Sequence, residues 1–230
     1  RLLFSQPGDP DVDRTVVFGI NEGDLNGQDV IVAAGSCTTN CLVPVIKVLD
    51  DAFGVEQGST TTIHAAMNDQ PVIDAYHHQD LRRTRSALHN IVPVDTGLAR
   101  GIERLLPHME GRFSSVAMRV PTLNVSAIDM VVNVREPTDI ATVNQLLCSA
   151  SAGSLKGILG YTDELLASSD FNHDAHSGVV DGGHRLNCLC YLLDTQDENG
   201  FVPSYRVTKG GVPYKSPSKK KFFFCLPELD

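Results

Sequence analysis

The chain has 230 residues, 42% of them hydrophobic and 20% charged, with 19 Lys and Arg against 28 Asp and Glu for a formal net charge of −9. That length buries one sizeable core or two small ones, and the composition is ordinary for a soluble globular protein. The acidic balance argues against nucleic acid as a partner, and no apolar run approaches the roughly twenty residues of a membrane-spanning helix.

Along the chain, strand patterns alternate with helical ones. Residues 15–20 and 29–34 read as strands. Residues 38–53 carry Leu42, Val45, Ile46, Leu49 and Phe53 at helical spacing, and Pro44 inside them predicts a kink or a late helix start. Residues 58–66 read as a strand with Thr60, Thr62 and His64 on one face. Residues 67–95 hold little periodicity, and a long irregular stretch inside a compact domain is usually functional. A short helix is predicted over residues 97–106, ending before Pro107, and strands over 113–120 and 124–134. In the second of these strands Ile128, Met130, Val132 and Val134 share a face. Thr138 is the expected N-cap of a helix reaching residue 152, with Val143 and Leu146 on its apolar face. Residues 207–230, with Lys219-Lys220-Lys221 and Phe222-Phe223-Phe224, follow neither period, and the expectation is a shifted reading frame or a degraded sequence end.

The six cysteines form no disulfide framework. Cys37 and Cys41 lie one helical turn apart, Cys188-Leu189-Cys190 is a bare pair, and neither has zinc-ligand spacing. His173, Asp174 and His176 cluster locally but read as a surface loop, since no partner cluster completes a coordination sphere; no metal is expected. A reducing, cytoplasmic compartment fits a free thiol at Cys37.

Chemistry concentrates in Gly35-Ser36-Cys37-Thr38-Thr39-Asn40-Cys41. A cysteine between a strand and a helix lies among unpaired N–H groups at the positive end of the helix dipole, where a thiol loses its proton most easily. The hydroxyls of Ser36, Thr38 and Thr39 leave room for an anion and can bond it. His64 ends the strand after that helix, so it can return to the same edge of the sheet and meet Cys37, pairing a nucleophile with a general base. Arg119, at the end of a strand, and the Thr96-Gly97 hydroxyl and N–H suit a phosphate. Arg82, Arg83 and Arg85 read equally as phosphate ligands or as solvated-loop or subunit-contact residues.

In this order these residues resemble the glyceraldehyde-3-phosphate dehydrogenase superfamily. Ser36-Cys37-Thr38-Thr39-Asn40-Cys41 is similar to its nucleophile motif, and Thr61-Thr62-Ile63-His64 to its histidine segment. Asn68-Asp69-Gln70, Asp80-Leu81-Arg82-Arg83 and Arg119-Val120-Pro121-Thr122-Leu123-Asn124-Val125 extend the likeness over residues 1–182. Met67, Pro93-Val94-Asp95-Thr96 and Asp170-Phe171-Asn172-His173-Asp174 resemble the erythrose-4-phosphate branch, whereas Gly97 resembles the triose-phosphate branch.

The resemblance implies a fold of the α/β plus α+β kind. Residues 1–34 would be the remnant of a Rossmann cofactor domain, 35–182 a mixed-sheet catalytic domain, and 183–230 a divergent tail. It implies NAD as cofactor, a phosphorylated aldehyde as substrate and a homotetramer at full length, with residues 67–95 reaching toward a neighbouring subunit's cofactor site. Cys37 and His64 would be catalytic, and Ser36, Thr38, Thr96, Gly97, Arg83 and Arg119 would bind substrate. Asn199 would stand for the family's nicotinamide-contacting asparagine. The reaction implied is oxidation of erythrose 4-phosphate through a thioacyl enzyme; the phosphorylating triose-phosphate reaction is the alternative. No G-x-G-x-x-G turn occurs, so the expectation is a fragment lacking the family's pyrophosphate cradle. A cofactor-free thiol hydrolase and an inactive fragment are the remaining readings.

Overall fold

Short runs of apolar and β-branched residues pair into two sheets in a computed structural model that describes residues 1–76 and 80–183, and the backbone of residues 219–226. The smaller sheet is parallel throughout: β1 (Leu2–Phe4), β2 (Arg14–Thr15) and β3 (Ile31–Ala33) lie in the order β1-β3-β2. The strand expected over residues 15–20 survives only as β2. The Asn21 side chain accepts from Val17 N at 2.8 Å and donates to the Thr15 carbonyl at 2.9 Å. These local bonds offer the backbone a turn in place of a ladder.

The larger sheet has seven strands and carries the core. β5 (Val92–Val94), β6 (Phe113–Arg119), β4 (Val55–His64), β7 (Ser126–Val134), β10 (Lys219–Leu226), β9 (Gly178–Asp181) and β8 (Leu159–Thr162) lie in that spatial order. The β4–β6 and β8–β9 pairs are parallel and the rest antiparallel, so the sheet is mixed. Pro93 is tolerated in β5 because that strand is an edge. β10 lies in the stretch without a sequence period: without any alternation its backbone pairs with β7 over eight residues. Ladder bonds use backbone groups alone and need no side-chain period.

Three helices flank this sheet: α1 (Cys37–Phe53), α2 (Leu98–Leu105) and α3 (Ile140–Ala152). Burial alternates strictly along β7, with Ile128, Met130, Val132 and Val134 inward. Against them pack Leu42, Val45, Ile46 and Leu49 of α1, Ile102 of α2, and Val143 and Leu147 of α3. α1 starts before Pro44 and runs through it. The late start expected from the proline does not occur, because the cap at Ser36 sets the beginning and the proline removes one internal bond only. α3 is capped by Asp139 and not Thr138, its carboxylate accepting from Thr142 N at 2.7 Å. Among the described residues no helix is long and apolar enough to cross a membrane.

α1 and α2 touch at Gly101. A Cβ there would lie 2.3 Å from Thr39 Cγ2, a distance no side chain tolerates without displacing α2 or the first turn of α1. Gly101→Ala therefore lowers stability by about 1–2 kcal/mol in urea unfolding, because overpacking outweighs the helix propensity gained. An unchanged midpoint would contradict this close approach.

Candidate active site

Gly35 turns the chain from β3 into α1 with φ of +72°, a left-handed conformation that favours glycine. Ser36 Oγ then accepts from Thr39 N at 3.1 Å, and Thr39 Oγ1 accepts from Ser36 N at 2.7 Å. This reciprocal cap is reinforced by Asn40, whose Nδ2 donates to the Ala34 carbonyl at 2.7 Å and to the Ser36 carbonyl at 2.9 Å. Cys37 is thereby fixed as the first residue of the helix, with an exposed thiol. There the helix dipole favours negative charge on sulfur.

His64 is the last residue of β4. Its Nδ1 lies 2.8 Å from the Ala65 carbonyl, which can only accept, so Nδ1 carries the proton. Nε2 then faces Cys37 Sγ at 3.7 Å and is the nitrogen placed to take the thiol proton.

The parallel register of β4 with β6 sets Arg119 beside His64. Arg119 is only 6% exposed. Both of its terminal nitrogens donate to Asp69, Nη2 reaching Oδ2 at 3.1 Å, and Nη2 lies 3.4 Å from Met67 Sδ. Arg83 Nη1 donates to the same Asp69 Oδ2 at 3.1 Å, and Arg83 also pairs with Asp80. Burial by itself would raise the Asp69 carboxyl; the hydrogen bond and charge of Arg119, with the charge of Arg83, outweigh it and hold the group below its ordinary value.

Cys37 and His64 open onto a cleft of about 620 Å³. Ser36, Thr38, Thr96, Gly97 and Arg119 line it, so the structure brings together all the expected site residues but two. Arg83 is absent from this wall, its guanidinium held by Asp69 and Asp80. Asn199 lies outside the described residues. The Ser36 hydroxyl is committed to the helix cap and lies 3.0 Å from the Thr38 hydroxyl. Thr96 Oγ1 accepts from Leu98 N at 3.2 Å. The expected loop cluster resolves into a hydrogen-bonded pair, His176 Nδ1 lying 2.7 Å from Asp174 Oδ1. The cleft is also lined by residues 5–10, Thr15 and Gly35, which lie at the carboxyl ends of β1, β2 and β3. In open parallel sheets that edge is where ligands bind. Two further wall residues, Arg100 and Arg104, went unnoticed in the sequence. They sit three and seven residues after Gly97, one face of a helix, and that spacing is the signal that would have found them.

The family model of the glyceraldehyde 3-phosphate dehydrogenase C-terminal domain matches residues 36–193, and the chain belongs to that family. The match begins at the helix cap beside Cys37 and runs through both catalytic-type side chains. It is the match of a dehydrogenase-type catalytic domain and supports an oxidoreductase role.

Two outcomes follow from this geometry. Iodoacetamide should label Cys37 before buried Cys41 and half-buried Cys148, and His64→Asn should slow that labelling by about tenfold to a hundredfold; peptide mapping with timed quenching reads both, and an unchanged rate breaks the pairing. Asp69 binds its proton less readily folded than unfolded, so its stabilising contribution is complete above its ordinary value of 3.8 and is lost as pH falls through the lower folded value. Asp69→Asn should accordingly lower the urea midpoint at neutral pH and flatten its decline below about pH 4, whereas parallel pH profiles for variant and parent would rule out this linkage.

Proposed function

We propose that the chain oxidises a phosphorylated aldose, erythrose 4-phosphate, to 4-phosphoerythronate through a thioacyl on Cys37, with NAD as the oxidant. The observation that carries this reading is the 3.7 Å contact between Cys37 Sγ and His64 Nε2, set in a cleft reached by the carboxyl ends of three parallel strands. A thiol and a neutral imidazole at that separation form an activated nucleophile.

The residues present fit the nicotinamide end of such a cofactor. Residues 5–10 and Thr15 line the cleft beside the strand ends and would hold that end, and we read residues 1–34 as part of a dinucleotide-binding unit on the strength of their all-parallel sheet. When bound, the nicotinamide supplies a hydride acceptor. The remaining work belongs to this chain. Cys37 sulfur attacks the aldehyde carbon, and a C–S bond forms as the carbonyl oxygen takes up the proton held at His64 Nε2. His64 then withdraws that proton from the hemithioacetal hydroxyl, restoring the C=O bond as the carbon loses hydride. Water attacks the resulting thioester, releasing the carboxylic acid and returning the sulfur to Cys37.

Hydrolysis in place of phosphorolysis is supported by Arg119. With both terminal nitrogens on Asp69 and with Met67 beside it, this guanidinium offers little to an incoming inorganic phosphate. The phosphorylating triose-phosphate reaction is the second reading, favoured by Gly97. We further propose a homotetramer: Val72, Ile73 and Tyr76 are 65%, 73% and 87% exposed in one segment, an apolar patch of the kind that subunits cover.

NADH formation with either sugar phosphate, with and without inorganic phosphate, tests the proposal. Faster, phosphate-independent turnover of erythrose 4-phosphate is expected. Phosphate-dependent preference for the triose moves the chain to the second reading. Cys37→Ser should abolish turnover of either substrate, since an alkoxide is far rarer than a thiolate near neutral pH, and retained NADH formation would exclude Cys37 as nucleophile.

A further inference from the structure

Ala65 follows His64 at the point where both ladders of β4 have ended. The register with β6 stops at His64–Arg119, and the register with β7 stops at Ile63–Ala127. Ala65 is nonetheless fully buried, and a buried backbone N–H without a partner is costly. Ser126 supplies the partner, its Oγ accepting from Ala65 N at 3.0 Å. Two neighbouring bonds join backbone groups: Val120 N donates to the His64 carbonyl at 2.9 Å, and Ala66 N donates to the Thr122 carbonyl at 2.8 Å. The Ala65 carbonyl, held among these bonds, is the group that fixes the proton of His64 on Nδ1.

The position of Ser126 is unusual for a hydroxyl. It takes the first inward position of β7, in line with Ile128, Met130, Val132 and Val134, and it is the one polar residue in that row. Only 1% of it is exposed. A polar side chain buried in an apolar row needs the bond it makes. Val125, just before it, has φ of +63°, a left-handed conformation that β-branched residues rarely adopt. Asn124 Oδ1 accepts from Val125 N at 2.8 Å, and the Val125 side chain packs with Phe171 and Val179. Unfavourable backbone that its surroundings enforce clusters at functional sites. Here it lies one residue before the hydroxyl that serves the histidine segment.

We infer that Ser126 is a positioning residue for His64. Its hydroxyl acts through the backbone of Ala65, whose carbonyl keeps the proton on Nδ1 and leaves Nε2 to accept the thiol proton of Cys37 at 3.7 Å. Without the hydroxyl Ala65 N loses this acceptor, and the carbonyl beside it turns more freely. The other tautomer, with its proton on Nε2, then becomes populated and cannot accept from the thiol. The inference rests on the Cys37–His64 pairing that carries the proposed reaction. It goes beyond that reading by tying the tautomer of His64 to a side chain that does not line the cleft.

Timed iodoacetamide labelling of Cys37 in the full chain, read by peptide mapping, tests this as a double-mutant cycle. Ser126→Ala should slow labelling roughly tenfold, the effect of losing an outer partner that orients a histidine. In the His64→Asn background it should slow labelling no further. Equal slowing in both backgrounds would make Ser126 a structural residue of the sheet and overturn the inference. So would a parental rate for Ser126→Ala beside a slow His64→Asn. An unchanged rate for His64→Asn alone would defeat the pairing and the inference with it. Ser126→Thr keeps the acceptor and should label at the parental rate, whereas Ser126→Cys, a weak acceptor of similar size, should stay slow. These two variants carry the cycle if the alanine variant does not fold, and equal rates for them would overturn the inference. Nitrogen-15 spectra of the imidazole read the tautomer directly. The parent should hold the His64 proton on Nδ1 and Ser126→Ala should show a mixture; one tautomer shared by both would refute the role of Ser126.

Discussion

The site depends on a helix that runs away from it and a strand that runs back. α1 spans seventeen residues and β4 ten, about 25 Å of helix and about 30 Å of strand. The two are joined at Gly54, which has φ of +65°, so β4 returns along the helix it follows. The first residue of α1 and the last residue of β4 therefore meet, and these are Cys37 and His64. The core fixes both partners: Leu42, Val45, Ile46 and Leu49 seat the helix on the sheet, and β4 is paired on one side with β6 and on the other with β7. A single-residue slip of β4 would send His64 to the opposite face. Two ladders hold it against that slip.

The same register brings Arg119 to the edge of the site, and electrostatics then decides what it does there. A guanidinium at 6% exposure is costly to bury without a counter-charge. Asp69 provides one, and its carboxylate is shared with Arg83. Two cations on one carboxylate pin the segment around Met67 to the sheet and to the turn that carries Arg83. Arg119 thus shapes the floor of the cleft by holding that segment, with its own charge largely answered from within the protein.

Much of this was legible in the residues, and what was hidden had physical reasons. α1, β4 and β7 are long enough for their periods to stand out, and the Cys37–His64 meeting follows from strand–helix–strand order alone. β8 and β9 have four residues each, too few for alternation to register, and β10 has none in its sequence. Residues 15–20 carry strand formers, yet Asn21 diverts them through side-chain bonds that no local propensity records. The Arg119–Asp69 pair was hidden because the two residues lie fifty apart, and ion pairing at that separation is a tertiary event. Arg100 was overlooked for the opposite reason, since an exposed arginine on a short helix reads as solvated surface until the cleft beside it is seen.

These placements separate activation of the nucleophile from recognition of the anion. The hydroxyls of Ser36 and Thr39 flank the sulfur in sequence, but they close the cap of α1. Their bonds fix the sulfur's position, and charge on it is left to the helix dipole and His64. In the proposed reaction, anion recognition would fall to the start of α2, where Thr96 and Gly97 line the cleft. The two helices meet where Gly101 admits the methyl group of Thr39, so a displacement of α2 is transmitted directly to the cap that positions Cys37. Tight packing at that contact holds the start of α2 and the first turn of α1 at a fixed spacing. For a reaction in which a charged tail must set an aldehyde carbon against one thiol, that fixed spacing does the orienting that bimolecular encounter lacks.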